Sequence, residues 1–154
     1  MPNFAEQVVK RLEDQGIKRI YGLVGDSLNP LSDAVRQSDI EWVHVRNEEA
    51  AAFAAGADSL AADELAVCGA SCGPGNTHFV QGLFESHRNG AKVLAIASHI
   101  PTMEIGSSFF QETHPELLFQ ECSSYCEVVH EADQGMRVLH NALQNTLAGN
   151  GVSV

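Results

Sequence analysis

Short β-rich runs and helix-length stretches take turns along this chain, and few folds accommodate such an alternation. The β-rich runs are "IKRIYGLVG", "IEWVHV", "ELAVCGAS", "AKVLAIASH", "YCEVVH" and, at the end, "NGVSV". Between them lie stretches with helical period. In "NFAEQVVKRLEDQG" Phe4, Val8 and Leu12 share one face and Gly16 is the natural stop. In "SLNPLSDAVRQS" Ser27 is a possible cap, with Pro30 in the first turn. "NEEAAAFAAGADSLAA" starts on Asn47 as N-cap. Further helices are expected in "CGPGNTHFVQGLFESHRNG", "PELLFQECSS" and "ADQGMRVLHNALQNTLAG", whereas "IPTMEIGSSFFQETHP" has no clear period and reads as a loop. Repeated βα units predict a three-layer α/β fold. It is a doubly wound, parallel sheet of about six strands with helices on both faces. Ligand contacts in such a sheet belong at the carboxyl ends of the strands. The turns there are "VGDS", "RNEE", "SCGPGN" and "SHIP".

The chain has 154 residues, enough for one domain. With 20 acidic and 9 basic residues its formal charge is −11. That charge argues against a nucleic-acid partner and against anionic membrane surfaces, because no cationic surplus is available to meet phosphates. No signal-like or membrane-length apolar run occurs, so a cytoplasmic location is expected. Cys68, Cys72, Cys122 and Cys126 form two C-x3-C pairs. Structural zinc usually takes C-x2-C spacing, so the four are expected to be small core thiols, and no metal site is assigned.

Three stretches carry chemistry. "VGDSLN" is a glycine-bearing turn after the first strand, but it lacks G-x-G-x-x-G spacing and a P-loop lysine, so it is a weak dinucleotide signal. "SCGPGN" is tight and bare. It suits either a plain βα turn or a place where a ligand meets free main-chain N–H groups. "RNEEAAAFAAGAD" places Glu48 and Glu49 before alanines and a glycine. On one reading these are solvated charges that complement the helix dipole. On the other, helical spacing aligns Glu48 with Ala52, Ala55 and Ser59, and Glu49 with Phe53, Gly56 and Leu60. A face of small residues lets another backbone or a flat ring approach closely. A carboxyl held in so dry a place can exchange a proton near neutral pH.

Taken together, "RNEEAAAFAAGA", "AVCGASCGPGN", "GLFESHR", "LAIASHIP" and "FFQETHP" resemble the N-terminal pyrimidine-binding domain of thiamine-diphosphate enzymes, in the pyruvate oxidase and pyruvate dehydrogenase (quinone) group. The resemblance runs along essentially the whole chain. It implies that Glu48 is catalytic: its carboxyl hydrogen-bonds N1′ of the cofactor's aminopyrimidine and favours the imino form that removes the thiazolium C2 proton. It also implies cofactor contacts from Val24, Gly25 and Asp26 and from Gly73, Pro74, Gly75 and Asn76, and a substrate border at Phe110 and Gln111. His78, His87, His99 and His114 are pocket residues by position only. Where the family usually carries histidine before the key glutamate, this chain has Asn47, an equally good N-cap.

The same resemblance implies pyruvate as substrate, FAD and a quinone as electron carriers, and Mg2+ holding the diphosphate. FAD and Mg2+ would be bound by domains outside this chain, because its sequence contains no G-D-G segment. Residues 1–154 are therefore expected to be one domain of a longer three-domain enzyme, inert in isolation. That enzyme is expected to be a dimer or tetramer, with each site closed by a C-terminal diphosphate-binding domain, and full-length relatives are expected to associate peripherally with the inner face of the membrane. An acetolactate synthase or 2-keto acid decarboxylase is the nearest alternative, and a non-catalytic α/β binding module the more distant one.

Overall fold

The computed structural model describes residues 2–154. In chain order the elements are α1 (Phe4–Asp14), β1 (Arg19–Gly22), α2 (Asn29–Arg36), β2 (Glu41–His44), α3 (Glu48–Ala62), β3 (Ala66–Ala70), α4 (Pro74–Arg88), β4 (Val93–Ala97), α5 (Pro115–Leu118), α6 (Ala132–Asn145) and β5 (Val152–Ser153). All strand pairs are parallel, in the order β2-β1-β3-β4-β5. This is one of the two common doubly wound orders.

Side chains of successive strand residues point to opposite faces, and the two faces are filled differently. On one, Ile20, Val67 and Leu94 meet Val8, Val9 and Leu12 of α1, Leu31 and Val35 of α2, and Leu139 and Leu143 of α6. On the other, Cys68, Ala70, Val93 and Ala95 meet the alanines of α3, Phe79 and Leu83 of α4, and Phe119. Phe79, Phe119, Leu12 and Leu83 are wholly enclosed. Each such side chain contributes about 1.5–3 kcal/mol relative to exposure.

The helices are distributed as a single crossover hand requires. The step from β1 to β2 places α2 on the α1 face. The steps from β2 to β3 and from β3 to β4 run the other way across the sheet and place α3 and α4 on the opposite face.

The expected strand in "YCEVVH" is the one shortfall. Tyr125 forms a single parallel bridge with Ser153. Around it, Ser124 N–H donates to the Val152 carbonyl at 2.8 Å, Val154 N–H to Tyr125 at 2.9 Å and Glu127 N–H to Val154 at 3.2 Å. The segment is thus an edge beyond β5, and the sheet has five strands with a short sixth pairing. Pairing stops because the chain turns away toward α6, where Gln134 Nε2 donates to the Val128 carbonyl.

Candidate functional site

β1 leads on to β2 on one side and its other neighbour β3 leads on to β4 on the far side, so the chain leaves these adjacent strands in opposite directions and opens a crevice at their carboxyl ends. The turn after β1 and the turn after β3 meet there. Gly25 is required by that closeness: a Cβ on it would stand 2.7 Å from Ser71 Cβ. Ser27, expected as a helix cap, does something else. The N-cap of α2 is Leu28, with no side-chain bond. Ser27 lies in a 3-10 turn over Asp26–Leu28 and joins three strand ends. Its Oγ is 2.6 Å from Ser98 Oγ, 3.0 Å from Ser71 Oγ and 3.0 Å from the Cys72 nitrogen. Hydrogen counting sets the direction. Ser98 donates its only hydroxyl hydrogen to the Ala70 carbonyl, 2.8 Å away. Ser27 therefore donates to Ser98 and accepts from Ser71 and Cys72, which fills its one donor and two acceptor positions.

The turn after β3 enters α4 through Gly73 at φ +68°, a left-handed conformation that side chains resist. The backbone of Gln111 lies across it, since a Cβ on Gly73 would come within 3.0 Å of Gln111 Cα. Two stretches assigned separately from sequence, the glycine turn and the Phe-Gln pair, are thereby in contact. Pro74 is exposed in the first turn of α4. Asn76 belongs to the turn that the resemblance assigns to the cofactor. It is fully buried, and its Nδ2 donates to the Ser98 carbonyl at 2.9 Å, tying α4 to the end of β4. Its Oδ1 has no partner among the described residues.

Glu48 is in the first turn of α3, capped by Asn47, whose Oδ1 accepts from the Glu49 nitrogen at 2.8 Å. Despite that terminal position Glu48 is only 6% exposed. One oxygen, Oε2, lies 3.0 Å from His78 Nδ1. The other, Oε1, faces the bare edge of Gly75, where a Cβ would sit 3.1 Å away. Glu49 is only partly exposed. The small residues in line with Glu48 (Ala52, Ala55 and Ser59) are all buried. Of the two uses allowed by a small-residue face, this one serves a backbone. A Cβ on Gly82 of α4 would stand 2.6 Å from Ala52 Cβ and 2.9 Å from the Glu49 carbonyl oxygen. The close approach of α3 and α4 brings the start of α4, with Gly75 and His78, to the Glu48 carboxyl.

Around this centre Val24 is 48% exposed and Phe110 84% exposed, and Asp26 is exposed as well. Phe110 touches the Phe109 ring, with centroids 4.9 Å apart. His99 and His114 line a cleft of about 550 Å³ that Glu48 does not line. His87 has a buried Nδ1 with no partner among the described residues. Cys68, Cys72 and Cys122 are buried and Cys126 partly so, all as free thiols. Burial pushes the Cys122 and Cys126 thiols up to about 11 and raises Cys68 as well. Among the described residues no group of three or more His, Cys, Asp or Glu is placed to hold a metal, and no helix is long and apolar enough to cross a membrane. Sequence reasoning missed the serine junction and the role of His78 as the partner of Glu48. No periodicity marks either, since the partners lie 28 to 71 residues apart.

Comparison with known proteins agrees with this geometry. The family model described as thiamine pyrophosphate enzyme, N-terminal TPP binding domain, matches residues 2–120. An uncharacterized 42.6 kDa protein in the isoamylase 3′ region of Pseudomonas amyloderamosa is 55% identical over 97% of the chain and 38% of its own length. Pyruvate oxidase of Lactiplantibacillus plantarum is 32% identical over 96% of the chain and 25% of its own. A probable acetolactate synthase large subunit of Methanocaldococcus jannaschii is 36% identical over 79% of the chain and 20% of its own. The chain thus spans two fifths or less of the length of these relatives. With the match to the family model covering most of its length, the chain belongs to the thiamine pyrophosphate enzymes, as an N-terminal TPP-binding domain.

Proposed function

We propose that this domain supplies the pyrimidine side of the active site in a thiamine-diphosphate- and FAD-dependent pyruvate oxidoreductase, which converts pyruvate to acetate and CO2 and passes electrons to a quinone. The observation that carries the reading is the buried Glu48 carboxyl beside the side-chain-free main chain of Gly75. An aminopyrimidine ring fits those residues. Glu48 offers a proton-sharing oxygen beside Gly75, and Val24 presents exposed apolar surface at the same edge of the sheet. When bound, thiamine diphosphate supplies an acidic thiazolium carbon and an electron sink. The part of Glu48 is to hold a proton at N1′ of the pyrimidine. Phe110 and Gln111 pair an apolar ring with an amide beside Gly73, a combination suited to a small 2-keto acid.

Mg2+ and FAD would be held by other domains of the complete enzyme. A second subunit or a C-terminal diphosphate-binding domain would close over Glu48, in a cytoplasmic homo-oligomer able to attach peripherally to the membrane. Exposed Leu60 on α3 and Phe84 on α4 support such a covered face. The similarity to an acetolactate synthase favours one second reading, the same domain in a synthase that joins two keto acids.

The test joins the chain to the remaining domains and replaces Glu48 with Gln. Exchange of the C2 proton of the bound cofactor should slow by about 10²–10⁴-fold, the usual range for a positioned acid or base. An unchanged exchange rate refutes the role. Acetate as product supports the oxidoreductase, and acetolactate supports the synthase.

A further inference from the structure

We infer that His78 is the positioning residue of Glu48, holding one carboxylate oxygen so that the other faces the main chain of Gly75. The inference rests on the reading of Glu48 as the proton-sharing carboxyl. The last torsion of a glutamate is broad and roughly two-fold, so an unanchored carboxylate sweeps both oxygens past any neighbour. Here Oε2 is anchored 3.0 Å from His78 Nδ1, and among the described residues that is the only side-chain hydrogen bond made by the carboxyl. Oε1 is left toward Gly75.

His78 follows Gly75 by three residues on α4, so both stand on one helix face. The helix that carries Gly75 therefore also carries the anchor, and the two keep their relation however α3 and α4 shift as bodies. The ring is 51% exposed while the glutamate side chain is 8% exposed. The imidazole is thus half-exposed above the enclosed carboxylate, with its Nδ1 turned toward it. To donate to a carboxylate, Nδ1 must carry the hydrogen, and the bond itself selects that form of the ring.

Two measurements test this. The first uses the chain alone, with no cofactor: nitrogen NMR of the histidine rings in the parent and in Glu48→Ala. The parent is expected to show His78 protonated at Nδ1, and Glu48→Ala to shift both of its ring nitrogens. Identical His78 signals in the two proteins overturn the inference. The second follows C2-proton exchange in the chain joined to its remaining domains and loaded with thiamine diphosphate. His78→Ala should slow exchange by about 10–10²-fold, the effect of a reacting group displaced by about an ångström. His78→Asn, whose amide N–H reaches the same place as Nδ1, should recover most of the rate. Equal losses in the Ala and Asn variants, or none in Ala, overturn positioning. Failure of the wider reading is separate, because it shows as a normal rate in Glu48→Gln.

Discussion

Gly82→Ala sets two effects of opposite sign against each other. Gly82 is in the middle of α4, where intrinsic helix propensity favours alanine by about 0.8–1.0 kcal/mol. Against that, a Cβ at this position would stand 2.6 Å from Ala52 Cβ, 2.9 Å from the Glu49 carbonyl oxygen and 2.9 Å from the Phe53 nitrogen. Non-bonded carbons rest at about 3.5–4.0 Å, so the methyl intrudes on Ala52 by roughly 1 Å. None of the three atoms can rotate away. Two are α3 backbone, and the third is an alanine methyl. Relief requires the two helices to part along a seam that encloses Ala51, Ala55, Phe79 and Leu83. Overpacking of this kind costs about 1–3 kcal/mol. Because helices rather than rotamers must move, the upper part of that range applies. Net of propensity, the variant should be less stable by about 1–2 kcal/mol. For a domain of this size that lowers Tm by about 2–8 °C. Urea unfolding followed by Trp42 fluorescence and by circular dichroism should show a lower midpoint at unchanged slope. A variant as stable as the parent, or more so, would mean that propensity wins and that the α3–α4 seam is looser than described.

Three further outcomes follow from the same structure. Ser27→Ala removes three hydrogen bonds and leaves the Cys72 N–H without its acceptor, so chemical unfolding should show a loss of about 1–3 kcal/mol. A loss indistinguishable from zero would refute the serine junction. Cys68, Cys122 and Cys126 should react slowly with a thiol reagent at pH 8 in the native chain and rapidly once it is unfolded, because burial disfavours their thiolates. The sign for stability follows. Unfolded thiols lose protons near their ordinary value of 9.0, whereas folded Cys122 and Cys126 keep theirs to about 11. Stability should therefore fall as pH rises from about 9 to about 11, and a flat profile across that window would contradict the burial. Phe110→Ser should change the stability of the chain by no more than about 0.5 kcal/mol, since the ring is 84% exposed. A larger loss would show that Phe110 supports the fold, whereas an effect confined to pyruvate KM in the complete enzyme would support its proposed place beside the substrate.

Much of the site could be read before any coordinates. The order of strands and helices, the Asn47 cap and the gathering of the four strand-end turns at one edge all depend on residues close together in the chain. Glu48 and Glu49 stood out together because carboxylates followed by alanines at helical spacing make an unusual surface for water, and the resemblance to the family singled out Glu48. Other details were illegible or misread. Asn76 looked like part of an exposed turn, yet its amide is buried against the Ser98 carbonyl. Ser27 had the sequence position of a cap, yet the close meeting of two loops made its hydroxyl more useful between strands. The run at Tyr125 had β character, but only its first residues found a partner edge.

By itself, the sequence determined the βα alternation, the parallel sheet it entails, and the cap that starts the alanine helix. These rest on interactions within a few residues: steric periods, caps and propensities. The tertiary structure alone decided that the alanine face is taken by α4, that Glu48 is thereby enclosed, and that His78 meets its carboxyl. Contacts across about thirty residues depend on which strand lies beside which and how closely two helices approach. That approach is governed by atoms missing from the chain, the absent side chains of Gly75 and Gly82, whose effect appears only once another helix lies against them.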